Sequence, residues 1–185
     1  MSESAKFSGL SCELVAPFSW VVTDSLDSEE LTLIERDNYS RLQIIQGLEE
    51  SPETLDDMPG LAQEIHRLDF KMNVLLELVA LVATKDSPSP KPLSLVLSCE
   101  AIQWVTLQSP PEVGEHVKMD LFVERRFPFP LILMGVVESV SSEASQSKVI
   151  AKLLPHDESL QELWDKFIFR CHRRHIARMK RDGNH

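Results

Sequence analysis

Near the start of the chain Cys12, Leu14, Ala16, Phe18, Trp20 and Val22 alternate with mostly more polar neighbours. Alternation of that kind predicts a strand with one buried face. Pro17 lies within it and has no amide to donate, which predicts a sheet edge or a bulge at that point. After Asp24 the period lengthens to that of a helix. Leu31, Ile34, Leu42, Ile45 and Leu48 are its inward positions, Asp27 or Ser28 its cap, and Gly47 to Pro52 its break.

The most regular pattern follows. Leu61, Ile65, Leu68, Met72, Leu75, Val79 and Val82 succeed one another at spacings of four, three, four, three, four and three, an unbroken heptad seam. With Ile65, Met72 and Val79 at a, the d positions are Leu61, Leu68, Leu75 and Val82. Leu76 then falls at e, Leu78 at g, and Val74 and Leu81 at c, so the second half of this helix is apolar on almost every side. A two-stranded coil leaves that surface wet. Its burial requires more than two helices around one axis, or a seam on one side and the chain's own body on the other. An internal core helix is the plainer account of such a stripe, but three uninterrupted heptads favour assembly between chains.

Ser87-Pro88-Ser89-Pro90-Lys91-Pro92 ends the helix, since proline lacks a donor and restricts the residue before it. Beyond it the period returns to two. Leu93 to Cys99, Ala101 to Leu107, His116 to Val123, Leu131 to Val140 and Lys148 to Leu154 read as strands. They are separated by Ser109-Pro110-Pro111-Glu112, Pro128 to Pro130, and Ser139 to Ser147. About six short antiparallel strands predict a closed barrel or a sandwich. Pro155 and the candidate cap Asp157 open a last helix, whose Leu160, Leu163, Trp164, Phe167, Ile168 and Cys171 form a stripe suited to lie on the sheet.

Charge changes the picture at one end. The formal net charge is −10, yet the last twenty residues hold seven Lys/Arg and one Asp, against twelve basic and twenty-eight acidic residues before them. An acidic body repels nucleic acid and anionic membranes at long range, so any anion contact belongs to the C-terminal segment. Three cysteines scattered over 185 residues do not make a disulfide framework and point to a reducing compartment, the cytoplasm. No segment approaches the roughly 18 apolar residues of a spanning helix, and the N-terminus lacks the pattern of an export signal, so neither membrane insertion nor export is expected.

Candidate chemistry is sparse. There is no Gly-rich phosphate loop, nucleophile elbow, Cys-x-x-Cys or His-Glu-x-x-His, and an enzyme is not expected. Cys171 and His175 stand at i,i+4 with His172 between them, a spacing that can present two metal ligands. The cysteine, however, completes an apolar stripe and the histidines sit in a basic patch, so no metal is expected. Arg170, Arg174 and Arg178 repeat at i,i+4 with Arg173 beside them, a set of guanidinium forks able to hold phosphate, carboxylate or a protein partner. The alternative is a solvated helix end whose cations complement the helix dipole.

The order of strand, helices with a heptad seam, Pro-rich link, about five strands and a terminal helix ending in Arg and His resembles the atypical, tetramer-forming PilZ family over nearly the whole chain. The nearest echoes are Leu14 to Trp20, His66 to Leu81, Leu97 to Trp104 and Phe169 to Arg178. The resemblance implies an α+β, mainly β fold: a six-stranded antiparallel barrel with an inserted helical pair and a C-terminal helix. It implies one domain over 1–185, with an inserted helical oligomerisation region over 25–86, the main barrel strands over 87–155 and an amphipathic basic helix over 156–181. PilZ domains are best known as bacterial cyclic di-GMP receptors, and their usual site pairs an Arg-x-x-x-Arg ahead of the first barrel strand with an Asp/Asn-x-Ser-x-x-Gly on the next.

Here the first arginine is Arg36, beyond the first strand, and the second motif reads Val96-Leu97-Ser98-Cys99-Glu100-Ala101, in which Ser98 alone matches. Val96 offers no acceptor, Ala101 stands where glycine is expected, and Glu100 adds a negative charge. The expectation is therefore a non-enzymatic, tetrameric adaptor in cyclic di-GMP signalling that works through a protein partner, with direct nucleotide binding lost or weak and no cofactor. Two alternatives remain: a receptor clamping phosphates with Arg170, Arg173, Arg174 and Arg178, and a nucleic-acid-binding oligomer using the same tail.

Overall fold

The computed structural model describes residues 9–24, 27–49, 59–85, 90–143 and 145–182. The alternating segments are strands, and they close on one another. β1 (Ser11–Thr23) pairs with β2 (Pro92–Ser98), and β2 with β3 (Ala101–Thr106). β3 pairs with β6 (Gln146–Leu153), β6 with β5 (Leu131–Glu143), β5 with β4 (His116–Leu121), and β4 with β1. All six contacts are antiparallel, and the order β1-β2-β3-β6-β5-β4 is a closed barrel.

Closure explains Pro17. A closed barrel has no edge at which to place a proline. Residues 11–17 of β1 pair with β2, and residues 18–23 pair with β4. Pro17 therefore stands where the strand changes partners, and its carbonyl accepts from the Phe122 amide at 3.0 Å. Inside, Leu95, Leu97, Ile102, Trp104, Val117, Met119, Leu121 and Leu131 are almost wholly buried, each worth about 1.5–3 kcal/mol of transfer free energy if aliphatic. Phe18 and Trp20 pack on Trp104 with ring centres 5.5 and 6.0 Å apart. Gly135 lets β5 and β6 approach, because a β-carbon there would meet Lys152 O at 2.7 Å.

One expected boundary moves. Ser139 to Ser147 is not a separator: β5 runs on to Glu143 and β6 starts at Gln146. Ser139, Ser141 and Ser142 prolong the strand as exposed polar positions beyond a register shift at Val137/Ser139, and the hydroxyls of Ser142 and the buried Ser147 bond across the hairpin at 3.0 Å. The first helix, α1 (Ser28–Glu49), passes Gly47 and ends within the expected break. Pro52, and Ser87 to Ser89 of the proline-rich link, lie outside the described residues.

The helices α1, α2 (Pro59–Ala83) and α3 (Glu158–Asp182) follow their periodicity. Asp27 caps α1 by accepting from the Glu30 amide at 2.8 Å, and Asp157 caps α3 by accepting from Leu160 at 2.8 Å. α1 buries Leu42, Ile45 and an asparagine. That asparagine, Asn38, donates to Ile132 O at 2.6 Å and accepts from Ile132 N at 2.9 Å, pinning the helix to the start of β5. α3 lays Leu160, Trp164, Phe167, Ile168 and Cys171 on the barrel, as its stripe requires. No helix among the described residues is long and apolar enough to cross a membrane.

Candidate assembly surface and groove

α2 is the exception to the burial of apolar faces. Among its described side chains Ala80 alone is buried, and Leu61, Leu68, Met72, Leu75, Val79 and Val82 of the heptad seam are 49 to 75% exposed. Ile65 is half-buried. The side of α2 nearest the body carries Asn73, Leu76, Glu77, Ala80 and Thr84. Asn73 accepts from Arg126, while Glu77, Ala80 and Thr84 face the groove described below. The opposite side presents a, d, c and g positions together. Val74 and Leu78 are thus added to the seam, at 41 and 54% exposure, while Leu81, 69% exposed, stands at the rim of the groove. The body thus approaches one side of the apolar second half, and the other side is left open in the single chain.

Arg126 ties this helix to the body of the protein. Arg126 donates to Asn73 Oδ1 at 2.8 Å, to Leu48 O at the end of α1 at 2.7 Å, and to Glu124 at 2.9 and 3.1 Å. Burial pushes the Glu124 carboxyl up, but the hydrogen bonds from Arg126 outweigh it and hold the group below its ordinary value. Next to Leu48, Glu49 accepts from Arg170 at 3.2 Å and from Arg174 at 2.7 Å, joining α1 to α3.

Between β1, the end of α2, the β4–β5 loop and α3 lies a groove of about 690 Å³. Val15, Pro17, Pro92, Phe122 and Phe127 supply apolar walls. Arg125, Arg174 and Arg178 supply cations, His175 an imidazole, and Glu13, Glu77 and Glu124 carboxylates. The arginines of α3 therefore divide. Arg170 and Arg174 share Glu49, Arg178 lines the groove two turns beyond Arg170, and Arg173 lies over the Phe169 ring at 5.9 Å. His172 and His175 are separated likewise: His172 Nδ1 donates to Ser11 O at 2.5 Å, whereas His175 faces the groove. No group of three potential metal ligands occurs among the described residues.

The turn that carries Val96, Ser98 and Ala101 is occupied by the protein itself. Ser98 is buried, accepts from the Ala101 and Glu100 amides at 2.9 and 3.3 Å, and donates to Ala101 O at 3.1 Å. Trp164 of α3 covers the turn, donating from Nε1 to Cys99 O at 3.2 Å. Neither Glu49 nor Arg126 is conspicuous in the sequence. Each is one charge among many, and the partners that give it meaning lie 53 to 125 residues away.

Compared with known proteins, residues 42–181 match the family described as atypical PilZ domain, cyclic di-GMP receptor. The chain belongs to the atypical PilZ family. Among solved structures, a tetrameric PilZ domain from Xanthomonas campestris, described as a pathogenic protein self-assembled through an unusual helical bundle, superposes with a TM-score of 0.70. It is 24% identical, with 92% of this chain and 89% of the other covered, a likeness that establishes the fold. No curated protein matches the sequence significantly. The barrel with its inserted α1 and α2 and terminal α3 is thus an atypical PilZ architecture, as the order of elements implied.

Proposed function

We propose that this PilZ protein is a non-enzymatic, cytoplasmic, tetrameric adaptor of bacterial cyclic di-GMP signalling. It presents its barrels to a protein partner, and its direct nucleotide binding is lost or weak. The observation that carries the reading is the open face of α2, where the a, d, c and g side chains of the second half remain exposed in the single chain. Residues 25–86 are then the oligomerisation insertion, with Leu61, Ile65, Leu68, Met72, Leu75, Val79 and Val82 at its core. The solved tetrameric PilZ domain, itself described as assembled through a helical bundle, supports this assignment.

Weak nucleotide binding has separate support. The first-strand arginine pair is missing, Ser98 spends its hydroxyl on its own turn, and Arg170 and Arg174 already hold a carboxylate. A second reading rests on the groove, where Arg174 and Arg178 could serve as phosphate ligands from α3 in place of the usual motif.

Titration calorimetry with cyclic di-GMP, with molar mass measured by light scattering on the same sample, separates the two. The adaptor reading expects the mass of four chains and no heat. Binding at micromolar strength refutes it and favours the groove, in which case Arg174→Glu abolishes binding while assembly is retained.

A further inference from the structure

The groove between β1, the end of α2, the β4–β5 loop and α3 holds apolar surface and charge that the chain itself leaves unused. Val15 on β1 is 72% exposed and Leu81 on α2 69%, two large aliphatic side chains left in water on different walls, while Phe122 and Phe127 of the loop are half-buried. The charges are unevenly answered. Glu124 is already held by Arg126, and Glu49, outside the groove, is shared between Arg170 and Arg174. Among the described residues no carboxylate forms a salt bridge with Arg125 or Arg178. Glu13 and Glu77 form none either, but they come from β1 and α2, so the cationic wall is that of α3, with Arg174 and Arg178 one turn apart.

We propose that this groove is the docking site of the protein partner, and that its occupant is a short acidic segment of that partner, with an aromatic or aliphatic side chain seated against Val15, Phe122 and Phe127 and a carboxylate on Arg174 and Arg178. This docking presupposes the adaptor reading and gives its partner a chemistry. A guanidinium carries five N–H donors, and Arg174 spends one on Glu49, so both arginines keep donors for a carboxylate. Glu13 and Glu77 oppose a multiply charged anion, yet they accept from the backbone amides that a peptide supplies along its length. The volume of about 690 Å³ lies within the roughly 300–1,000 Å³ of ordinary ligand pockets, which suits a few residues of extended chain and not a folded domain.

Neighbouring surfaces do not offer the same combination. The turn around Ser98 has its hydroxyl and amides bonded to one another and lies under Trp164. The seam of α2 is apolar and faces away from the groove, whereas Glu77, Ala80 and Thr84 of the same helix face into it. A partner segment and a neighbouring protomer therefore approach α2 from different sides, and docking leaves the assembly intact.

The test is selection of a phage-displayed library of random dodecapeptides on the purified full-length protein, followed by fluorescence anisotropy with the enriched peptides in synthetic, end-blocked form. The expected consensus joins Asp or Glu to an aromatic or large aliphatic residue, and binding weakens as salt is added. Arg178→Glu and Val15→Asp each weaken it at least tenfold. Both positions are exposed, so circular dichroism and light scattering should return the parental fold and mass. Lys152→Glu, exposed on β6 outside the groove, leaves binding unchanged. No enrichment, a basic or wholly polar consensus, equal loss in Lys152→Glu, or peptides that bind Arg178→Glu and Val15→Asp as tightly as the parent would each overturn the proposal. If cyclic di-GMP gives no heat in the calorimetry above, such a result removes the docking site and leaves the adaptor reading standing; nucleotide binding at micromolar strength removes the reading on which the docking site depends.

Discussion

The exposed seam of α2 makes a prediction in which assembly and folding separate. In the single chain Leu75 is 55% exposed, so about half of its transfer free energy is still to be gained on assembly. Full burial of a leucine is worth about 1.5–3 kcal/mol, which leaves about 1 kcal/mol per chain. In a symmetric tetramer Leu75→Ala removes that amount four times, about 4 kcal/mol in all, which weakens the tetramer about a thousandfold. Leu75→Glu goes further, because each copy would carry a carboxylate into the apolar bundle at a cost of several kcal/mol per ion. Neither substitution costs the isolated protomer anything comparable, since the side chain touches no core there. Light scattering over a dilution series should therefore show Leu75→Ala dissociating at higher concentration than the parent and Leu75→Glu monomeric throughout, with both retaining the parental circular dichroism. If Leu75→Glu keeps the parental mass, the seam is not the interface. If it unfolds, the helix is an internal element and the argument fails at its first step.

Other positions test the body. Asn38→Ala strips both partners from the Ile132 peptide and should lower unfolding free energy by about 3 kcal/mol, read from urea midpoints; a loss under about 0.5 kcal/mol would mean water replaces the side chain. Gly135→Ala drives a β-carbon against Lys152 O and should destabilise by about 1–3 kcal/mol, and a neutral result would show that β5 and β6 can part without cost. Burial depresses His156 against the opposing pull of Glu35, Asp157 and Asp165, so the unfolded chain takes up this proton more readily than the native one. Its contribution to stability is therefore complete above about pH 6.5 and is lost as pH falls through the lower native value. His156→Phe, which preserves an aromatic contact on Trp164, should flatten the decline in urea midpoint between about pH 7 and 5.5, and an unchanged slope would assign that decline to other groups.

Much of this fold was legible because its elements carry their own period. Cys12 to Trp20, the heptads from Leu61 to Val82 and the stripe from Leu160 to Cys171 each announce type and inward face through local spacing. Boundaries were less legible where composition and environment disagree. The serines after Val137 look like turn residues, yet as outward positions on a paired strand they need only be polar. At the end of α1 the break expected from Gly47 to Pro52 holds, although Gly47 itself stays helical at a cost of only about 1 kcal/mol. The groove was hardly legible at all. Arg174 and Arg178 could be singled out as forks, but that Arg174 spends part of its capacity on Glu49 depends on the angle at which α1 crosses α3, which no spacing encodes.

The ties among α1, α2 and α3 bear on how this protein is held together. Leu48 O, at the end of α1, accepts from Arg126, and that guanidinium also reaches Asn73 on α2. The next residue, Glu49, holds Arg170 and Arg174 on α3. Two successive residues thus link the helix that carries the seam to the helix that forms one wall of the groove. Glu124, Arg126, Glu49 and Arg170 at this junction are largely shielded, with side chains 16, 23, 14 and 28% exposed, so their contacts are screened less by salt than surface pairs are, whereas Arg174 is 48% exposed. A rotation of α2 away from the barrel breaks the bond to Asn73 and leaves Arg126 with Leu48 O and Glu124 alone. The placement of α2 beside the barrel and of α3 over the groove is therefore tied through neighbouring residues at the end of α1.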